Sequence, residues 1–150
     1  MARLSFTVDI AAPPGRVAAF FVPQRMVYWY GRDISAEFEL LGGAADFAVG
    51  QRLRITGKIG SREISMTAMV TRFHPGQSLE WQFKDVHGVR GAQAWDLEPL
   101  PDGGTHVHMR DAYSFPSRLG VFFDKIFMRH AVARRDRLWL GYLKRLAERS

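Results

Sequence analysis

Six stretches of alternating polarity follow one another between Asp33 and Tyr113, and the segments joining them are turns and loops. DISAEFELL sets Ile34, Ala36, Phe38 and Leu40 against Ser35, Glu37 and Glu39, and RLRITGKIG sets Leu53, Ile55 and Ile59 against Arg52, Arg54 and Lys58. REISMTAMVTRFH, LEWQF, VRGAQAWDLEPL and THVHMRDAY continue the pattern. A period of two is the mark of a strand with one buried face. Gly60-Ser61, HPGQ and PDGG are turn sequences, while LGGAADFAVG and KDVHG are loops. Parallel neighbours need a long crossover, usually a helix, so consecutive strands joined this way form an antiparallel meander.

The ends supply the remaining elements. LSFTVDI alternates as a further strand, with Leu4, Phe6, Val8 and Ile10 in one phase. Pro13 and Pro14 stand where a helix can start, and Pro23 stops that helix before a second short one in PQRMVYWY. From Ser117 to about Glu148 there is no proline and the spacing is helical, giving a helix of roughly 45 Å at 1.5 Å per residue. The expected fold class is therefore α+β: a curved antiparallel sheet of seven strands, two short helices, and one long C-terminal helix covering a face of the sheet. The first strand pairs at whichever edge is left. Residues 1–150 are expected to form one domain.

No run of about eighteen apolar residues marks a membrane span. MARLSFTVDIAAPPGR lacks the apolar core of a signal peptide, so the expected location is cytoplasmic. With no cysteine, thiolate metal sites, disulfides and a catalytic thiol are excluded. The net charge of +6 and pI near 10.2 would suit a nucleic-acid partner. The basic residues are dense only in RHAVARRDR, inside an apolar helix and without a nucleic-acid motif, so this segment is read as a solvated helix face and nucleic acid is not the expected partner.

VDIAAPPGRVAAFF, Trp29 after the helix pair, Gly50 before the third strand, HPGQSLEWQF, WDLEPLPDGGTHV and the closing LKRLAE stand in a characteristic order. In that order the chain resembles the SRPBCC or START-like superfamily, whose helix-grip fold is shared by lipid-transfer domains, the birch-pollen-allergen family, polyketide cyclases and aromatases, and coenzyme-Q-binding proteins. The resemblance spans essentially the whole chain. It implies a cavity between sheet and helix that receives apolar or amphipathic small molecules. The Rieske-type oxygenases of this superfamily need cysteine ligands, which this chain lacks.

The inward phases put Phe38, Leu53, Ile55, Met66, Trp81, Phe83, Trp95 and Met109 toward such a cavity, with Tyr30 at the end of the helix pair. Gln93, Asp111 and Tyr113 are polar exceptions in those phases, and buried polar groups need partners. Asp111 could orient a ligand, act as an acid or base if burial raises its pKa, or simply pair with Arg110. His106 and His108 point the same way but lack a third metal ligand, so no metal or other cofactor is expected. The C-terminal helix carries a sheet-facing stripe of Val121, Met128, Val132, Trp139, Tyr142, Leu143 and Leu146. A second apolar face, Leu119, Phe122, Phe123, Ile126, Phe127 and His130, occupies its first half only. That face is expected to pack internally first, to gate the cavity through Phe123 and Phe127 second, and to meet a second copy of the chain or a membrane surface third. The expected function is binding, transport or presentation of a hydrophobic or amphipathic small molecule. The alternative is a cyclase-, aromatase- or dehydratase-like enzyme using the same cavity; few inward polar groups are evident, which favours the carrier.

Overall fold

The computed structural model describes residues 1–119 and 127–149. Seven strands form one antiparallel sheet: β1 (Ala2–Ile10), β2 (Glu37–Leu40), β3 (Arg52–Ile59), β4 (Arg62–His74), β5 (Ser78–Asp85), β6 (Arg90–Pro99) and β7 (Thr105–Ser114). Their order across the sheet is β1-β7-β6-β5-β4-β3-β2, so the meander runs in sequence and β1 closes on its last strand. Between β1 and β2 lie α1 (Pro14–Ala18), α2 (Pro23–Met26) and a 3-10 turn, Arg32–Ile34. The long helix α3 (Arg129–Arg149) follows the sheet. The start of the helix expected from Ser117 lies partly outside the described residues.

Proline at the first turn opens both α1 and α2, where its missing N–H is not needed. The second strand is shorter than its alternation implies. Gly31 and Ser35 both take positive φ, 70° and 52°, and this places Ile34 in the 3-10 turn so that pairing starts only at Glu37. Gly60 at φ 62° makes the tight β3–β4 hairpin. A register shift between Val70 and Arg72 bends the long β4, as a bulge does.

One end of the space between sheet and helix is filled with aromatic rings. Trp29, Trp81 and Trp95 are fully buried; Trp81 and Trp95 lie 5.0 Å apart between centroids, and Trp29 and Trp95 6.0 Å. The Trp29 indole N–H donates to the Phe20 carbonyl at 2.8 Å, holding the two short helices against this cluster. Toward the other end of β5, Gly91 lies opposite Phe83 on one side and Tyr113 on the other. The Phe83 ring occupies the space where a side chain at Gly91 would stand.

The helix is turned relative to the expected stripe. Asp136, Trp139, Leu140, Leu143 and Ala147 are its buried residues, whereas Met128 is exposed and Val132, Tyr142 and Leu146 are half-buried. Val121 lies outside the described residues. Its C-terminal end is pinned to β1: the Ala11 backbone N–H donates to the Glu148 carboxylate at 2.8 Å, and Lys144 donates to the Asp9 carbonyl at 2.8 Å.

A Cβ at Gly91 would lie 2.0 Å from the Ala112 carbonyl oxygen and 2.8 Å from the Phe83 ring. Gly91→Ala is therefore expected to lower the unfolding free energy by roughly 1–3 kcal/mol, seen as a fall in the urea midpoint at unchanged slope.

Candidate functional site

Strand register brings the polar residues together. Trp81 on β5 is paired with Gln93 on β6, and Gln93 with Asp111 on β7, so three inward side chains stand in one row across the sheet. The Gln93 carbonyl oxygen accepts from the Tyr30 hydroxyl at 2.6 Å and from the Trp81 indole N–H at 3.0 Å. These two donors fix the amide's orientation, and its NH₂ group then donates to Asp111 Oδ2 at 3.4 Å. From the helix side Asp136 meets Asp111 in a side-chain hydrogen bond. Asp111 and Asp136 are 3% and 2% exposed, a depth at which two ionised carboxylates are not both tolerated.

One of them therefore holds a proton. Burial is the main cause that raises both pKa values, and for Asp136 the neighbouring Asp111 charge adds to it, against the opposing pull of Arg135; the Asp136 carboxyl is pushed up to about 10. Asp111 is raised less clearly, because the hydrogen bonds from Asp136 and Gln93 favour its anion. The proton belongs to the pair, with Asp136 the more strongly raised of the two. Asp111 Oδ1 and Asp136 Oδ2 take no hydrogen bond from any other described group, which leaves the shared proton as their link. Burial, aided by the negative charge of the Asp111–Asp136 pair, also holds the Tyr30 hydroxyl well above its ordinary value, so it stays a donor.

The pair borders a cavity of about 220 Å³. Ile34, Ile55, Ile64, Met66, Phe83 and Val132 give it apolar walls, while Tyr30, Gln93, Asp111 and Asp136 bring their linked polar groups to it and Thr56, Asp85, Tyr113 and Arg135 are further polar lining residues. Arg135 lies at its border with its Nε 3.7 Å from Asp33, whose other oxygen accepts from the Trp139 indole at 2.6 Å. A second recess of about 240 Å³ lies at the opposite end of β5, between α1 and the β4–β5 turn, with no carboxyl in its lining.

Of the residues expected at a cavity, Tyr30, Ile55, Met66, Phe83, Gln93, Asp111 and Tyr113 line this one. Leu53, Trp81, Trp95 and Met109 do not; they are packed in the closed core, and Phe38 packs against that core. Phe127 is 60% exposed and Leu119 76%, so neither follows the internal packing expected of it; Phe122, Phe123 and Ile126 lie outside the described residues. Of the alternatives open for Asp111, an ion pair with Arg110 is not the one found, since Arg110 binds Asp96 at 2.7 Å on the outer face of the sheet. His106 binds Asp9 and His108 binds Ser5, and among the described residues no three acidic or histidine side chains could hold a metal.

Asp136 is the residue that the sequence reading missed, because it was counted within a solvated basic segment. A signal was present: Val132, Trp139 and Leu143 stand at −4, +3 and +7, so Asp136 interrupts an apolar stripe, as Gln93 and Asp111 do in theirs.

The sequence profile of the family described as polyketide cyclase/dehydrase and lipid transport matches residues 1–148. The chain belongs to this family. Solved structures agree on its fold. A protein from Chromobacterium violaceum is 18% identical over 99% of each chain with a TM-score of 0.71. A protein from Arthrobacter aurescens is 18% identical over 99% of this chain and 87% of its own, with a TM-score of 0.75. A protein of the dynemicin biosynthetic locus is 18% identical over 97% of this chain but only 47% of its own, with a TM-score of 0.66. At these identities the likeness is one of fold alone. No match is found among curated proteins. No helix among the described residues is long and apolar enough to cross a membrane.

The raised carboxyl makes stability depend on pH in a defined direction. Between the ordinary carboxylate value of 3.8 and about 10 the folded chain keeps a proton on the Asp111–Asp136 pair that the unfolded chain releases. This contribution is complete below pH 3.8 and is lost as pH rises toward about 10. Asp136→Asn keeps the neutral shape and removes the titration. Thermal melts are expected to show the variant gaining stability relative to the natural chain as pH goes from about 5 to about 9, with each kcal/mol worth about 2–4 °C.

Proposed function

We propose that the chain binds a small amphipathic molecule between sheet and helix and shields its apolar body from water. The apolar body lies against Ile55, Met66 and Phe83, and the polar end meets Asp136 and Asp111. The observation that carries this reading is the combination of apolar walls with the linked polar cluster of Tyr30, Gln93, Asp111 and Asp136 in the same lining, which would orient a ligand as well as bury it. The family's lipid-transport members lend support to binding as the basic activity.

The cavity bounds the ligand's size. At about 220 Å³ it is smaller than the roughly 300–1,000 Å³ of sites for drug-sized molecules, so a single ring or a short chain fits better than an extended one.

A second reading is an acid–base enzyme of the cyclase, aromatase or dehydratase kind. The carboxyl pair favours it: a protonated acid beside its conjugate base, both buried in a cavity wall, is an arrangement suited to proton transfer. Both readings use the same cavity and both fail if nothing enters it.

Met66→Trp would fill the cavity from β4, while Thr67→Trp places the same side chain on the exposed face of that strand. In titrations with a fluorescent hydrophobic probe, the natural chain and Thr67→Trp are expected to bind one equivalent. Met66→Trp is expected to bind at least about tenfold more weakly, a loss of about 1.4 kcal/mol. Equal binding by all three would place the probe elsewhere and overturn the cavity as the site.

A further inference from the structure

We propose that the polar end of the ligand is a primary amine: its ammonium group bridges Asp111 and Asp136 while its apolar body lies along Phe83, Met66 and Ile55. This rests on the cavity reading above and specifies the ligand class. Four observations carry it.

The first is charge. The chain carries an excess of six positive charges, yet among the described residues the cavity lining holds three aspartates and one arginine. Second, the arginine does not neutralise the pair: its charge pulls the Asp136 carboxyl down, yet that carboxyl is still pushed up to about 10. Arg135 pairs with Asp33 of the 3-10 turn, and no other described cation borders the carboxyls. Third, Asp111 Oδ1 and Asp136 Oδ2 accept no hydrogen bond from another described group, although both residues are almost fully buried and line the cavity. An ammonium group brings three donors to such acceptors. Fourth, Phe83, Tyr30 and Trp139 present aromatic rings in the same lining, and a cation near a ring face gains further attraction.

The other groups facing the pair do not oppose this assignment. Tyr30 and Tyr113 line the cavity as phenols, and β6 contributes the neutral Gln93. Asp85, at the far end of β5, already accepts the backbone N–H groups of His87 and Val89. The lining residues from β3 and β4, Ile55, Thr56, Gly57, Ile64 and Met66, carry no charge. A carboxylate-headed ligand would face Asp111 and Asp136 directly and is disfavoured.

The exchange balances in charge and protons. The empty site holds one proton between two carboxyls. Entry of R–NH₃⁺ leaves two carboxylates around the ammonium, and the displaced proton passes to the solvent. Amine binding at neutral pH therefore releases about one proton, whereas a neutral ligand releases none.

Isothermal titration calorimetry with 4-phenylbutylamine, 4-phenylbutan-1-ol and 4-phenylbutyrate, in phosphate and in HEPES at about pH 7.5, tests this. The amine is expected to bind about tenfold or more tightly than the alcohol, and its heat to differ between the buffers by the ionisation of about one proton. Asp136→Asn, checked for an unchanged far-ultraviolet circular dichroism spectrum, is expected to lose both the preference for the amine over the alcohol and the buffer dependence. Alcohol or butyrate binding as tightly as the amine, or amine binding without proton release, overturns the amine assignment and leaves the cavity reading intact. Failure of all three to bind the natural chain overturns both.

Discussion

Two carboxyl groups share a buried space in which only one negative charge is tolerable, and much of the interior is arranged around that limit. An isolated carboxylate at this depth would cost several kcal/mol in lost hydration. The cost is reduced because Asp111 is held by two hydrogen bonds, from the Gln93 amide and through the proton shared with Asp136. Gln93 can serve only in one orientation, and Tyr30 and Trp81 impose it by both donating to its oxygen. The single shared proton thus depends on residues from the segment after α2, from three adjacent strands and from the long helix. Buried polar networks of this kind are favourable only when their members are satisfied together.

The cavity has an equally simple origin. A bent sheet and one helix meet closely where large rings fill the gap, at the Trp29–Trp81–Trp95 end. Toward Asp85 the inward positions hold Gly57 and Gly91 beside mid-sized side chains, and the rings there are too few to close the space. The polar row lies where these two regions meet. A guest would therefore find apolar walls beside hydrogen-bonding groups, of which Gln93 and Asp111 are placed by strand register, Tyr30 by the segment after α2 and Asp136 by the long helix.

What could be read from the residues alone was the periodic part of the protein. Period-two stretches joined by Gly60, HPGQ and PDGG force consecutive antiparallel pairing, and that placed Gln93, Asp111 and Tyr113 on the inner face correctly. Ile55, Met66 and Phe83 followed from the same phases, and Tyr30 from its place at the end of the helix pair. Periodicity says which face a side chain takes, however, and not whether the space beyond it is full. That is why Trp81, Trp95, Leu53 and Met109 looked equivalent to the lining residues although other rings and aliphatic groups close over them.

The helix shows the limit most clearly. Its mixed faces allow several rotations, and only contact with β1 and the aromatic cluster chose the one that buries Asp136, Leu140 and Ala147. Strand phase follows from a geometry local to the chain, so the local sequence determined the sheet and one carboxyl of the pair. The second carboxyl, the shared proton and the open lobe beside it arise from the approach of residues 25 positions apart (Asp111 and Asp136), which only the packing of helix on sheet could decide.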